Sequence, residues 1–191
     1  MGAAPSCASV RRVLLVVAAT ERELAFVEGA ETLCCGVGPV ESALQTARSL
    51  AGRRPDAVLH IGIAGAHELE PPALVLGSES VYCDVLDPAF TLTRIERVEP
   101  DAGLLAAARA ALPQALVLPI ATCGRVGGGI GCEVEAMEGF GVLRAAALAG
   151  VPALELRAVS NAVGEPDRGR WRIDDALAAL ADATATLLRA L

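Results

Sequence analysis

Four short runs, Val13 to Ala18, Ala57 to Ile63, Leu116 to Thr122 and Ala153 to Val159, are apolar with few interruptions and without regular alternation. A strand with one wet face carries a polar residue at every second position, so runs like these belong to strands covered on both sides, the usual state of a parallel sheet. Helical segments stand between them. Val40 to Ala51 follows Pro39, which suits a first helical turn; Asp101 to Leu112 is rich in alanine; a last helix starts near Ile173. Thr20-Glu21-Arg22-Glu23 caps and opens a short helix, Met137-Glu138-Gly139 opens another, and Thr32 to Cys35 and Leu74 to Asp84 are further strand candidates. Strands alternating with helices predict an α/β chain: a three-layer α/β/α fold around a central mixed, mainly parallel sheet.

A chain of 191 residues with 53% hydrophobic content is sized for one domain, placed at residues 11–191 behind a loose tail at 1–10. Its formal charge of −7 opposes nucleic-acid binding, which needs a basic stripe to neutralise phosphates. All 16 basic residues are arginine, so there is no lysine for a Schiff base or a P-loop. The cysteines at 7, 34, 35, 83, 123 and 132 form no CxxC pair, and His60 and His67 complete no zinc spacing. Reduced, buried thiols are expected, with no metal and no cofactor. Arg11-Arg12 before Val13 to Ala19 superficially resembles a secretion signal. The apolar run is short, however, and Glu21-Arg22-Glu23 follows it with no convincing cleavage site. No uncharged stretch near ~20 residues escapes Pro or Gly breaks, so no membrane span and a cytoplasmic protein are expected.

Chemistry-bearing residues gather between Val134 and Asp174, where two acidic residues, an arginine and Asn161 are read at turn positions, with Ser160-Asn161 where a strand ends. Two glycine turns accompany them. Gly36-Val37-Gly38-Pro39 lacks the third glycine of a dinucleotide fingerprint, and Gly62-Ile63-Ala64-Gly65-Ala66 lets a ligand approach the backbone.

The series VEAMEG at 134–139, RAVSN at 157–161 and RGRW at 168–171, with ATEREL at 19–24, resembles the nucleoside phosphorylase and nucleosidase family, and within it the futalosine hydrolase branch. That resemblance implies a purine nucleoside substrate, water as nucleophile and an N-glycosidic bond broken through an oxocarbenium-like transition state. Glu23 is similar to the family's water-activating glutamate, although on its own it reads as a helix-start carboxylate. Glu138 is similar to the glutamate that accepts from the ribose 2′ and 3′ hydroxyls, with Met137 packed on the sugar. Ala64, Gly65 and Ser160 fall at substrate-binding positions. Asn161 stands where adenine-releasing relatives carry aspartate, and its carboxamide offers two donors to N7 and O6 of a 6-oxopurine. Arg157, inside an apolar strand, needs a carboxylate such as Glu138 or Glu23. Trp171 resembles a recurrent tryptophan and equally suits a core anchor.

Against phosphorolysis, Ile63 takes the place where phosphorylases put a hydroxyl residue, and Glu23 would repel phosphate. Two segments are shorter than the family's, 79–93 and 124–132, and Phe140-Gly141 replaces small residues after MEG. For a carboxylate on the substrate's 5′ arm, Arg94, Arg97 and Arg125 are the available cations. The resemblance also implies a homodimer or higher homo-oligomer. An adenine-releasing methylthioadenosine or adenosylhomocysteine nucleosidase, a purine nucleoside phosphorylase and a catalytically silent nucleoside-binding protein stand as alternatives.

Overall fold

The computed structural model describes residues 12–85, 89, 95–129 and 131–191. The proposed tail, Cys7, Phe90 and Arg94 lie outside the described residues. In chain order the elements are β1 (Leu14–Ala18), α1 (Glu21–Leu24), β2 (Glu31–Cys34), α2 (Pro39–Gly52), β3 (Ala57–Ala66), β4 (Leu74–Tyr82), β5 (Arg97–Val98) and α3 (Ala102–Ala111). There follow β6 (Leu116–Thr122), β7 (Val134–Ala136), α4 (Gly139–Ala149), β8 (Ala153–Ala162), a 3-10 turn at Arg168–Arg170 and α5 (Ile173–Ala190).

The strands form one mixed sheet in the order β2-β1-β3-β7-β6-β4-β5, with β8 paired to both β3 and β4. Among the described residues β1–β2, β1–β3, β3–β8, β4–β6 and β6–β7 are parallel, and β3–β7, β4–β5 and β4–β8 antiparallel. Because β8 bridges β3 and β4, the strands β3, β7, β6, β4 and β8 close into a ring. Ala64, Ala66, Val75, Ile120, Val134 and Val159 fill one end of that ring as a small apolar core.

Burial on both sides explains the apolar runs of β1, β3 and β8, whereas in β6 only Ile120 to Thr122 are buried and Leu116 is 43% exposed, against the expectation of two covered faces. Leu14, Val16 and Ala18 of β1 join Leu104 and Ala108 of α3 and Leu180 and Leu187 of α5 in one cluster. Leu15 and Val17 point the other way, into a second cluster with Leu50 of α2 and Val142, Leu143 and Ala146 of α4. Helices α2 and α4 approach closely because Gly141 has no side chain: a methyl there would come within 2.7 Å of the Pro39 carbonyl oxygen.

Two turn assignments are corrected. Gly62–Ala66 lies inside β3, and Ser160 and Asn161 lie inside β8, where Arg157 is expected, since the two strands stay paired in parallel from Val58↔Ala153 to Ala66↔Ala162. Small residues there permit close approach without ending the strand, because each backbone supplies the other's hydrogen bonds. A register shift between Ala64 and Gly65 leaves Ser160 of β8 as the extra residue of a bulge. The two-residue β5 and three-residue β7 are too short for any periodicity to announce. Among the described residues no helix is long and apolar enough to cross a membrane.

Candidate active site

The carboxyl ends of β1, β3, β7 and β8 surround a cavity of about 340 Å³, within the range of small-molecule sites. Glu23, Ala64, Gly65, Met137, Glu138, Ser160 and Asn161 all line it, as does Trp171. Arg157 does not; it lies beneath the floor, only 1% exposed.

Glu23 is placed by the first βα turn. Thr20 caps α1, accepting from the Glu23 N–H, while Glu23 Oε2 accepts from the Thr20 N–H at 3.1 Å and from the Thr20 hydroxyl at 2.7 Å. Its Oε1 accepts from the Ile63 N–H at 3.0 Å. The carboxylate is thus 6% exposed yet fixed by three donors, and it consumes the Ile63 amide that an incoming anion would need.

Glu138 sits at the N-cap of α4, 5% exposed. Oε1 accepts from the Gly38 N–H at 3.1 Å, so the first glycine turn binds this carboxylate. Oε2 stands 3.6 Å from Arg157 Nη2 and accepts no hydrogen bond among the described residues. Burial pushes the Glu138 pKa above the ordinary 4.5, opposed by the Arg157 charge and the Gly38 N–H and assisted by Glu23 and Glu155.

Asn161 receives a hydrogen bond on Oδ1 from the Ser160 hydroxyl at 2.8 Å and donates through Nδ2 to the Ala162 carbonyl at 3.0 Å. One Nδ2 hydrogen, not both, is therefore left to face a purine. Gly65 gives the side chain its room, since a methyl there would stand 3.2 Å from Asn161 Nδ2.

A family model described as Phosphorylase superfamily matches residues 30–191, most of the chain. The chain belongs to the phosphorylase superfamily. A futalosine hydrolase from Streptomyces coelicolor is 39% identical over 189 residues, covering 84% of this chain and 79% of the relative. Among solved structures, a futalosine hydrolase mutant of Helicobacter pylori superposes with a TM-score of 0.85 at 18% identity, covering 94% of this chain and all of that one. A 5′-methylthioadenosine/S-adenosylhomocysteine nucleosidase from Colwellia psychrerythraea, in complex with adenine, gives 0.83 at 19%, covering 95% and 96%. At such identities the two structures speak for the fold, which is that of the nucleoside phosphorylases.

In this superfamily member, sequence reasoning named Glu138, which does pair with Arg157 at 3.6 Å, and missed the nearer partner, Glu155. Arg157 Nε donates to Glu155 Oε1 at 2.8 Å, closer than Glu138, and Glu23 makes no ion pair with Arg157. Nη2 of Arg157 donates to His60 Nε2, and because guanidinium only donates, His60 carries its proton on Nδ1, facing the Val17 carbonyl at 3.0 Å. Burial, and next the Arg157 charge, hold His60 well below its ordinary 6.5, so the ring is neutral. Glu135, quoted within VEAMEG but given no part, is buried and accepts from the Gly127 and Gly129 amides at 2.6 and 2.9 Å. It thereby ties down the backbone that follows Arg125 and Val126 in the cavity wall.

Of the three arginines considered for the 5′ arm, Arg125 lines the cavity, whereas Arg97 is tied to Glu79 at 2.5 Å. Arg22 and Arg168 also line it; Arg22 is paired with Asp174, and Arg168 lies over the Trp171 ring at 5.4 Å. Trp171 Nε1 donates to the Glu165 carbonyl at 3.2 Å, so its ring forms cavity wall while its polar edge anchors the chain before α5. Phe140 stacks on Tyr82 with ring centroids 5.1 Å apart. The described cysteines are free, but only Cys35 and Cys123 are buried, and burial pushes both thiols up to about 12.

Proposed function

We propose that the chain hydrolyses the N-glycosidic bond of futalosine to hypoxanthine and the dehypoxanthinyl sugar product, as a step of menaquinone biosynthesis. The observation that carries this is the Glu23 carboxylate, held on the Ile63 N–H at 3.0 Å and facing the cavity. A carboxylate there activates water and repels phosphate, and the 39% identity to a futalosine hydrolase supports the same choice.

The residues divide the work. Glu23 takes the proton of the attacking water, Glu138 accepts from the ribose hydroxyls through its open Oε2, and Met137 packs on the sugar. Ala64, Gly65 and Ser160 line the way to the purine, and Asn161 donates to it as negative charge develops on the leaving base. Glu23, Glu138 and Glu155 outnumber Arg157, the buried cation beside them, so the floor carries net negative charge beneath a sugar that becomes cationic. The protein works in the cytoplasm as a homodimer or higher homo-oligomer. The deciding assay is chromatography of purified protein with futalosine, inosine and methylthioadenosine, with and without phosphate. Hypoxanthine released from futalosine without phosphate supports the proposal; adenine release or a phosphate requirement overturns it.

Asn161→Asp shifts preference toward 6-aminopurine nucleosides by about 10-fold to 100-fold in relative kcat/KM, because the new carboxyl accepts from an exocyclic amine and repels O6. Competition between futalosine and its 6-amino analogue measures it, and an unchanged ratio removes Asn161 from purine selection.

The acid limb of kcat/KM also follows from Glu138. Its pKa lies above 4.5 and the carboxylate is the working form, so activity is full above that raised value and falls as pH drops through it. For stability the sign is opposite: the fold prefers the neutral acid, so Glu138's stabilising contribution is present below its unfolded value and is lost as pH rises through the folded one. Glu138→Gln therefore abolishes most activity yet melts higher than wild type near neutral pH, a gap that closes on acidification. Equal melting curves across pH would contradict this.

A further inference from the structure

We propose that Glu155 is a positioning residue that claims the Arg157 guanidinium and so leaves the Glu138 carboxylate free to grip the ribose; this rests on the role proposed above for Glu138. Glu155 and Arg157 are two apart on β8 and so share one face of the strand. A glutamate with 0% exposure in an apolar strand is costly unless something is gained by its charge.

The fold is shaped around it. Glu155 Oε1 accepts from Arg157 Nε at 2.8 Å, and Oε2 accepts from the Ser80 hydroxyl of β4. Gly139, the first residue of α4, leaves the space the carboxylate fills: a methyl there would overlap it. Gly77 of β4 lies against it from the other side. Arg157 is thereby held from the far side of the cavity floor, with Nη2 on His60 and Nη1 3.5 Å from the Ile63 carbonyl. Glu138 Oε2 is left at 3.6 Å from Nη2, near enough to feel the charge and too far for a hydrogen bond. Without a charge at position 155, Glu138 is the nearest carboxylate left to the guanidinium, ahead of Glu23, and the guanidinium closes on it. The oxygen meant for the sugar then becomes an ion-pair partner.

The test compares futalosine with its 2′-deoxy counterpart on wild-type protein and on Glu155→Gln, with melting curves for both. Expected is a wild-type preference for the ribo substrate that shrinks about tenfold or more in the variant, the size of one charge-assisted hydrogen bond, while kcat/KM for the deoxy substrate changes little. Loss of activity on both substrates in equal proportion overturns the proposal and makes Glu155 a purely structural ion-pair partner. A wild-type ratio near one instead removes Glu138 from the sugar contact, and this proposal with it. If Glu155→Gln does not fold, Ser80→Ala removes the donor that fixes Glu155 in place, loosens its hold on Arg157 and is expected to shrink the ratio in the same direction by a smaller factor. An unchanged ratio in that variant counts against the proposal.

Discussion

Glu23→Gln lowers turnover of futalosine by about 10²-fold or more, the usual worth of a positioned general base. The substitution keeps the volume of the side chain and removes its basicity. It also replaces an acceptor-only group by one with an NH₂, and the three contacts of Glu23, from the Thr20 N–H, the Thr20 hydroxyl and the Ile63 N–H, all require acceptors. One amide oxygen serves one end of this set, and the NH₂ at the other end faces a donor. Some loss of stability, about 1 kcal/mol for a weakened cap, accompanies the loss of rate, so turnover is compared well below the melting transition. Affinity for substrate changes much less than kcat, because the base acts on water. Saturating futalosine and chromatographic hypoxanthine release give the number; turnover within a few-fold of wild type takes Glu23 out of the base role.

What the sequence made legible follows from how far each signal reaches. Both-sided burial marks a strand in the chain itself, which is why β1, β3 and β8 are foreseen from their apolar runs, as is β6 although its first half is only partly covered, and Thr20 with Glu23 three residues on announces the cap that holds the base. The end of a strand is not local. Gly62–Ala66 looks like a turn until β8 is laid beside it, and the same pairing moves Ser160 and Asn161 from a turn into a strand. Within the site, Glu23, Glu138 and Asn161 are carried by motif, and the structure brings them to one cavity. Glu155 was equally visible, two residues before Arg157 in LELRAV, where opposite charges at that spacing on a strand face the same way. It was missed because partners were sought among residues with a chemical role. Glu135 was missed because what it holds, the amides of Gly127 and Gly129, has no side-chain signature.

Arg157→Met destabilises the fold by about 3–5 kcal/mol, the range found when one member of a buried ion pair is removed. The guanidinium is 1% exposed and serves Glu155, His60 and, more distantly, Glu138. Methionine fills most of the volume, so the cost is not a cavity. It is the ionised Glu155 left at 0% exposure with only the Ser80 hydroxyl, and a second carboxylate, Glu138, left with the Gly38 N–H. Against a total stability of about 5–15 kcal/mol for an ordinary domain this is a large fraction, and it lowers the melting temperature by roughly 10 °C. Arg157→Lys does not rescue it, since an ammonium keeps the charge but cannot reach Glu155 and His60 in two directions from one plane. The decisive control is Arg157→Met combined with Glu155→Gln. If the penalty is the orphaned carboxylate, the double variant is more stable than the sum of the two single losses predicts, by about 0.5–3 kcal/mol. Calorimetric melting of the four proteins measures that coupling, and additive losses would mean that Arg157 stabilises by packing its stem between strands rather than by answering the charge beneath the site.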